Sequence, residues 1–135
     1  TDGAGSNNAL DMFREMYLVS VLQKLKLSDA SAGSARRTLE MACVGGARAM
    51  GLTECDDLAV GKRADLVVID LERPNMQPVN DIPCNLVYSG SKENVYMTVV
   101  NGQILYENGE FHIDEDAADI YARAADIKKR ILAKG

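Results

Sequence analysis

The sequence predicts a mixed chain in which helices come first, a small and mostly antiparallel β-sheet follows, and one helix closes the fold. Three observations predict it. Ala9–Leu27 has no Pro or Gly and is crowded with apolar residues. After Gly51 the pattern shifts to short β-branched runs bounded by acids and Asn-Gly pairs, the mark of strands and hairpins. The last segment returns to helical spacing, with Ala117, Ile120, Ala124, Ile127 and Ile131 forming one stripe.

Residues 1–8, TDGAGSNN, are small or polar and read as a loop. Asn8 is the expected N-cap, with Asp11 favouring the free amides of the first turn. The helix that follows carries Leu10, Phe13, Met16, Tyr17, Val19, Val21, Leu22 and Leu25 on more than one face, so it is expected to be covered on two sides. Residues 28–34 form a loop, from which Ser31 or Ser34 can cap a helix over Ala35–Val44. Gly45-Gly46 is expected to break or kink it, and Gly51 to end a last turn over Ala47–Met50.

Leu58-Ala59-Val60 is a short strand candidate, and Asp65–Asp70 reads as a buried strand. Pro74, Pro78 and Pro83 make residues 71–85 an extended connection. Leu86–Lys92 fits neither period. Val95–Val100 and Gln103–Glu107 flank Asn101-Gly102, a strong two-residue hairpin turn. Asn108-Gly109 predicts a further short strand through Phe111. The closing helix is expected over Asp114–Ala133, with Asp114, Glu115 and Asp116 at its start and Lys128, Lys129, Arg130 and Lys134 at its end, as the helix dipole favours.

Length and composition narrow the function. The chain has 135 residues, 47% apolar and 26% charged, enough for one modest core. No apolar run approaches the roughly 18 residues of a membrane span, and no secretory leader is visible. A net charge of −5 argues against a general electrostatic grip on nucleic acid. Cys43, Cys55 and Cys84 are odd in number and lack CxxC spacing, which points to a reducing, cytoplasmic setting rather than a disulfide framework. The single histidine, His112, cannot build a His-rich metal site. No phosphate-loop motif is present. The chain starts at Thr1 in a Gly- and Asn-rich segment, as if cut from something longer.

Chemistry has few places to reside. Asp2, in Thr1-Asp2-Gly3 ahead of a helix, can ligate a metal or move a proton; an Asp in such a loop can equally make a local turn hydrogen bond. Ser6, Asn7 and Asn8 can bind a ligand or cap the helix. His112, beside Glu110 and Asp114 in sequence, reads as an edge histidine without ligand partners.

Four stretches share a resemblance. TDGAGSNNALDMFREM (1–16) resembles the segment after the last barrel strand of the metal-dependent amidohydrolase superfamily, with wording closest to the 5′-methylthioadenosine/S-adenosylhomocysteine deaminases and chlorohydrolase-like relatives. TLEMACVGGARAMGL (38–52) is similar to the helices that follow, VGKRADLVVIDL (60–71) to the superfamily's C-terminal β-sandwich motif, and VYMTVVNGQILYENGEF (95–111) to the sandwich hairpin. The resemblance implies a parent with a (β/α)8 barrel and a composite β-sandwich. It implies a divalent metal, zinc or iron, held by a His-x-His pair, two further histidines and one aspartate. That aspartate corresponds to Asp2, implied both to ligate the metal and to accept a proton from its water. The family histidines, the general-acid Glu and the other barrel strands have no counterpart here. The chain is therefore expected to be the C-terminal third of such an enzyme. Residues 1–52 would end the barrel, 53–112 join the sandwich and 113–135 form the closing helix. The expected substrate is a small molecule, a purine nucleoside deaminated hydrolytically. Other readings are a chlorohydrolase or other heterocycle deaminase of the superfamily, and a non-catalytic α+β association module. Neither nucleic acid nor membrane is an expected partner, whereas a second copy is, because helix one and the sheet edges would lack cover.

Overall fold

The computed structural model describes residues 1–133; Lys134, expected in the closing helix, lies outside them. Helix α1 spans Met12–Leu27. It starts later than Asn8 predicts, because Asp11 is the residue that caps it. The Asp11 carboxylate accepts the Phe13 and Arg14 amides at 3.0 and 3.4 Å, adding a negative charge where the dipole favours one. Ser28, at φ 49°, ends the helix. Lys24 then holds the following loop by donating to the carbonyls of Ala30 and Ala32.

Ser34 caps α2, Ala35–Glu40. Ser31 is not the cap, since its hydroxyl and amide both donate to Asp29. Gly45-Gly46 does not break the chain's course. A π-helical turn over Met41–Gly45 absorbs the extra residue and runs directly into α3, Gly46–Ala49, with both glycines in the right-handed helical region. The widened turn is the local adjustment that keeps such a helix continuous.

The strand expected at Leu58–Val60 is absent. Its place is a turn closed by the Lys62 amide on the Ala59 carbonyl at 3.1 Å, and Val60 is fully exposed. An ion cluster accounts for the turn. Asp56, with a side chain only 3% exposed, takes Arg48 at 2.8 Å on one carboxylate oxygen and Lys62 on the other. These bonds bring residues 48, 56 and 62 together, which an extended 58–60 would oppose. The Lys62 contact is the main cause holding the Asp56 carboxyl below its usual range, with Arg48 next.

Strand β1, Leu66–Ile69, pairs antiparallel with β2, Val95–Val100. The sheet continues to β3, Gln103–Glu107, and β4, Glu110–Phe111, in the order β1-β2-β3-β4. Both Asn-Gly pairs form their turns with positive φ at each residue, as two-residue hairpin turns require. β1 is less buried than its composition predicts, with Val67 52% exposed, because it is an edge strand bonded only to β2.

Residues 71–94 are not simply extended. They form a short 3-10 turn at Pro74–Met76, a helical turn α4 at Ile82–Cys84 capped by Asp81, and a π-helical turn at Asn85–Ser89. Pro74 and Pro83 both sit in first helical turns, where the missing amide costs nothing. This excursion supplies part of the core: Met16, Ala35 and Val87 are buried together, with Phe13, Leu39 and Ala42 against them. Helix α1 is thus covered on the Phe13–Met16 side. Met16 is buried, and Phe13 and Val21 are half-buried. Leu10, Tyr17, Leu22 and Leu25 remain exposed. Helix α5, Ala117–Leu132, begins three residues later than expected because Asp116 is its cap, accepting the Ala118 amide at 2.6 Å. Asp114 and Glu115 precede the helix. Its apolar stripe is largely exposed, with Ile120 half-buried.

Candidate functional site

Asp2 lies in the loop that leads into α1 and is exposed. Its φ of 58° is in the left-handed region, which Asp tolerates through local hydrogen bonding. That bond is present: one carboxylate oxygen accepts the Gly3 amide at 2.7 Å. Among the described residues, only one of the two carboxylate oxygens is hydrogen-bonded.

The loop behind Asp2 has a defined shape. The Gly3 carbonyl accepts the amides of Ser6 and Asn7 at 2.9 and 3.1 Å. The Asn7 side chain then works in two directions. Its oxygen accepts the Ala9 amide at 2.9 Å, and its nitrogen donates to Glu15 Oε1 at 2.8 Å. Glu15 lies in the first turn of α1. Asn8 caps nothing. The sequence signal for Asn7 was its place among three polar residues before a helix; Glu15, eight positions on, carried no such signal.

The loop alone does not make a metal site. Among the described residues no group of three or more His, Cys, Asp or Glu converges on a point. One Asp2 oxygen fits one coordination position, whereas a zinc centre takes about four. The other sequence candidates do not complete it. His112 is exposed just after β4, its amide bonded to the Leu105 carbonyl at 2.9 Å. The three thiols are held toward their protonated form. Burial pushes Cys43 and Cys55 up, and hydrogen bonding with Asp81 does the same for Cys84.

The chain is similar to known proteins in sequence and in fold. The chain is 40% identical over 134 residues to a 5-methylthioadenosine/S-adenosylhomocysteine deaminase of Nitratidesulfovibrio vulgaris, covering 99% of this chain and 30% of that protein. The crystal structure of an adenosine deaminase from Xanthomonas campestris with bound zinc superposes on 97% of this chain and 30% of its own, at 36% identity and a TM-score of 0.91. An atrazine chlorohydrolase from Arthrobacter aurescens complexed with zinc matches 84% of this chain and 25% of its own, at 26% identity and a TM-score of 0.75. The chain thus spans about 30% of the length of the curated relatives it matches. The Amidohydrolase family model matches residues 1–105, taking in the Asp2 loop, helices α1–α4, strands β1 and β2 and the start of β3, and the chain belongs to that family.

Proposed function

We propose that this chain is the C-terminal part of a metal-dependent hydrolase that removes the exocyclic amine of an adenosine-type nucleoside. The observation that carries the reading is the Asp2 loop. Among the described residues its carboxylate uses one oxygen, on the Gly3 amide, and it is held ahead of a helix whose inner face is buried, in a chain 40% identical over 134 of its own residues to a 5-methylthioadenosine/S-adenosylhomocysteine deaminase. In this reading the rest of the polypeptide supplies the barrel, the other metal donors and the remaining strands of a β-sandwich. Asp2 supplies one carboxylate ligand and accepts a proton during hydrolysis. A divalent metal, zinc by analogy with the two zinc-bound structures, lowers the pKa of a bound water. The substrate is a small molecule and the setting cytoplasmic.

Dechlorination of a heterocycle is the second reading, supported by the chlorohydrolase likeness, at lower identity and TM-score than the adenosine deaminase. Assays of the longer enzyme carrying this segment separate the two: ammonia released from an adenosine-type nucleoside supports the first, chloride released from a chlorinated heterocycle the second. Asp2→Asn in that enzyme is expected to lower turnover by at least about 10²–10⁴-fold, the worth of a positioned acid–base group. Near-unchanged turnover in a folded, metal-loaded variant removes Asp2 from the mechanism.

A further inference from the structure

We infer that Asn7, braced by Glu15, is a positioning residue that fixes the Asp2 carboxylate relative to α1; the inference rests on the reading of Asp2 given above. Among the described residues the Asp2 carboxylate bonds the next amide, at Gly3, and no helix. On the side of the chain that leads to α1, its position depends on whatever anchors the Gly3–Asn7 turn.

Two backbone bonds to the Gly3 carbonyl close that turn on itself, and they leave it free to swing as a unit. The Asn7 side chain is what joins the turn to the helix. Its orientation is determined by its partners: the amide nitrogen faces the Glu15 carboxylate and the oxygen faces the Ala9 amide. The flipped rotamer would set oxygen against carboxylate and NH₂ against N–H, losing both bonds. Glu15 is itself a firm anchor. It follows the Asp11 cap, its own amide donates to the Asp11 carbonyl at 3.2 Å, and it neighbours the buried Met16. The bond to a carboxylate is charge-assisted and stronger than one between neutral groups. A continuous path thus runs from the core at Met16, through Glu15 and Asn7, to the carbonyl of Gly3 and the carboxylate of Asp2.

Polarity exchange tests the link in the 135-residue chain. With ¹⁵N relaxation read at Gly3 and Ser6, Asn7→Ala is expected to raise the mobility of both amides above that of α1. Asn7→Asp sets two carboxylates face to face and should loosen the loop similarly. The double variant Asn7→Asp/Glu15→Gln reverses donor and acceptor and should restore order. Glu15→Gln alone keeps an accepting oxygen and should stay ordered. In the longer enzyme, Asn7→Ala is expected to lower kcat roughly 10- to 100-fold, the scale of about 1 Å misplacement, with KM little changed. Full order in Asn7→Ala, or no rescue by the double variant, overturns the link. An ordered loop that depends on Asn7, in an enzyme indifferent to Asp2→Asn, overturns the functional reading and leaves the link standing. Loss of KM rather than kcat in Asn7→Ala counts against positioning.

Discussion

The ring of Phe13 lies against the backbone of Gly90 so closely that a Cβ built on the glycine would stand 2.8 Å from Phe13 Cδ1 and 2.5 Å from the Leu86 carbonyl oxygen. Gly90 has an ordinary φ of −68°, so space and not backbone freedom requires glycine here. The contact seats the Asn85–Ser89 turn on α1. The Tyr88 hydroxyl adds to it by lying 2.9 Å from Ser20 Oγ, which donates to the Gly33 carbonyl at 2.6 Å. Gly90→Ala is expected to destabilise the chain by about 1–3 kcal/mol, the usual cost of overpacking. Phe13→Leu in the same background should recover part of it, as read by urea denaturation. Equal stability of Gly90→Ala and the parent would show that the two segments separate freely.

Asn94 is 1% exposed and bonds in several directions. Its oxygen accepts from Asn75 and the Ser91 amide at 2.8 and 3.0 Å, and its nitrogen donates to Asn75 Oδ1 at 3.2 Å. Asn94→Ala leaves buried partners unpaired and is expected to cost about 1–3 kcal/mol, measured by thermal or urea unfolding. A loss within about 0.5 kcal/mol, the range of a neutral surface change, would mean that water replaces the side chain.

Asp56 makes stability depend on acid. Its folded carboxyl is held below the usual range by Lys62 and Arg48, so the unfolded chain binds the proton first. The stabilisation is complete above the unfolded pKa, near about 4, and is lost as pH falls through the lower folded value. Asp29 and Asp81 shift the same way, through bonds to Ser31 and the Cys84 amide. Asp56→Asn should therefore weaken the chain at neutral pH and flatten, without abolishing, its acid sensitivity in paired urea titrations. An unchanged slope would show that the cluster contributes no linkage.

With one available Asp2 oxygen, the 135-residue chain is expected to bind less than stoichiometric zinc in equilibrium dialysis, since a stable centre needs about four ligands. Zinc retained at one per chain, and lost in Asp2→Asn, would show a site completed within the chain or between copies.

Leu22, Leu25 and Tyr17 leave apolar surface on α1, and chains with such surface tend to associate. Sedimentation should show mass rising with concentration, and Leu25→Lys should reduce it. A concentration-independent monomer would count against the second-copy expectation.

Much of the fold was legible from local rules. The Asn101-Gly102 hairpin, the strand at Leu66–Ile69 and the helix ending at Leu27 all follow from turn chemistry and periodicity. What escaped depended on contacts distant in sequence. The Leu58–Val60 run has strand composition, but Asp56 draws Arg48 and Lys62 around it. Gly45-Gly46 has breaker composition, but neither position needs a positive φ. Pro74 and Pro83 fit the first turns of short helices as readily as an extended link. At the site, the Asp2 loop stood out through its wording and its place before a helix. The bond from Asn7 to Glu15 did not, because nothing in the spacing of two polar residues indicates which way an amide turns.

The neck between Asp70 and Asn94 gives the excursion from residue 71 to 93 a character of its own. The Asp70 amide donates to the Asn94 carbonyl at 2.7 Å, and the Asn94 side chain reaches back to the Asp70 carbonyl at 3.4 Å. The segment between them is closed at its base by that clasp and held against α1 at its far end through Val87 and Tyr88. Such a segment opens as a unit rather than by fraying. Its amides should exchange with solvent hydrogen at one common rate, distinct from that of the β2–β3 hairpin.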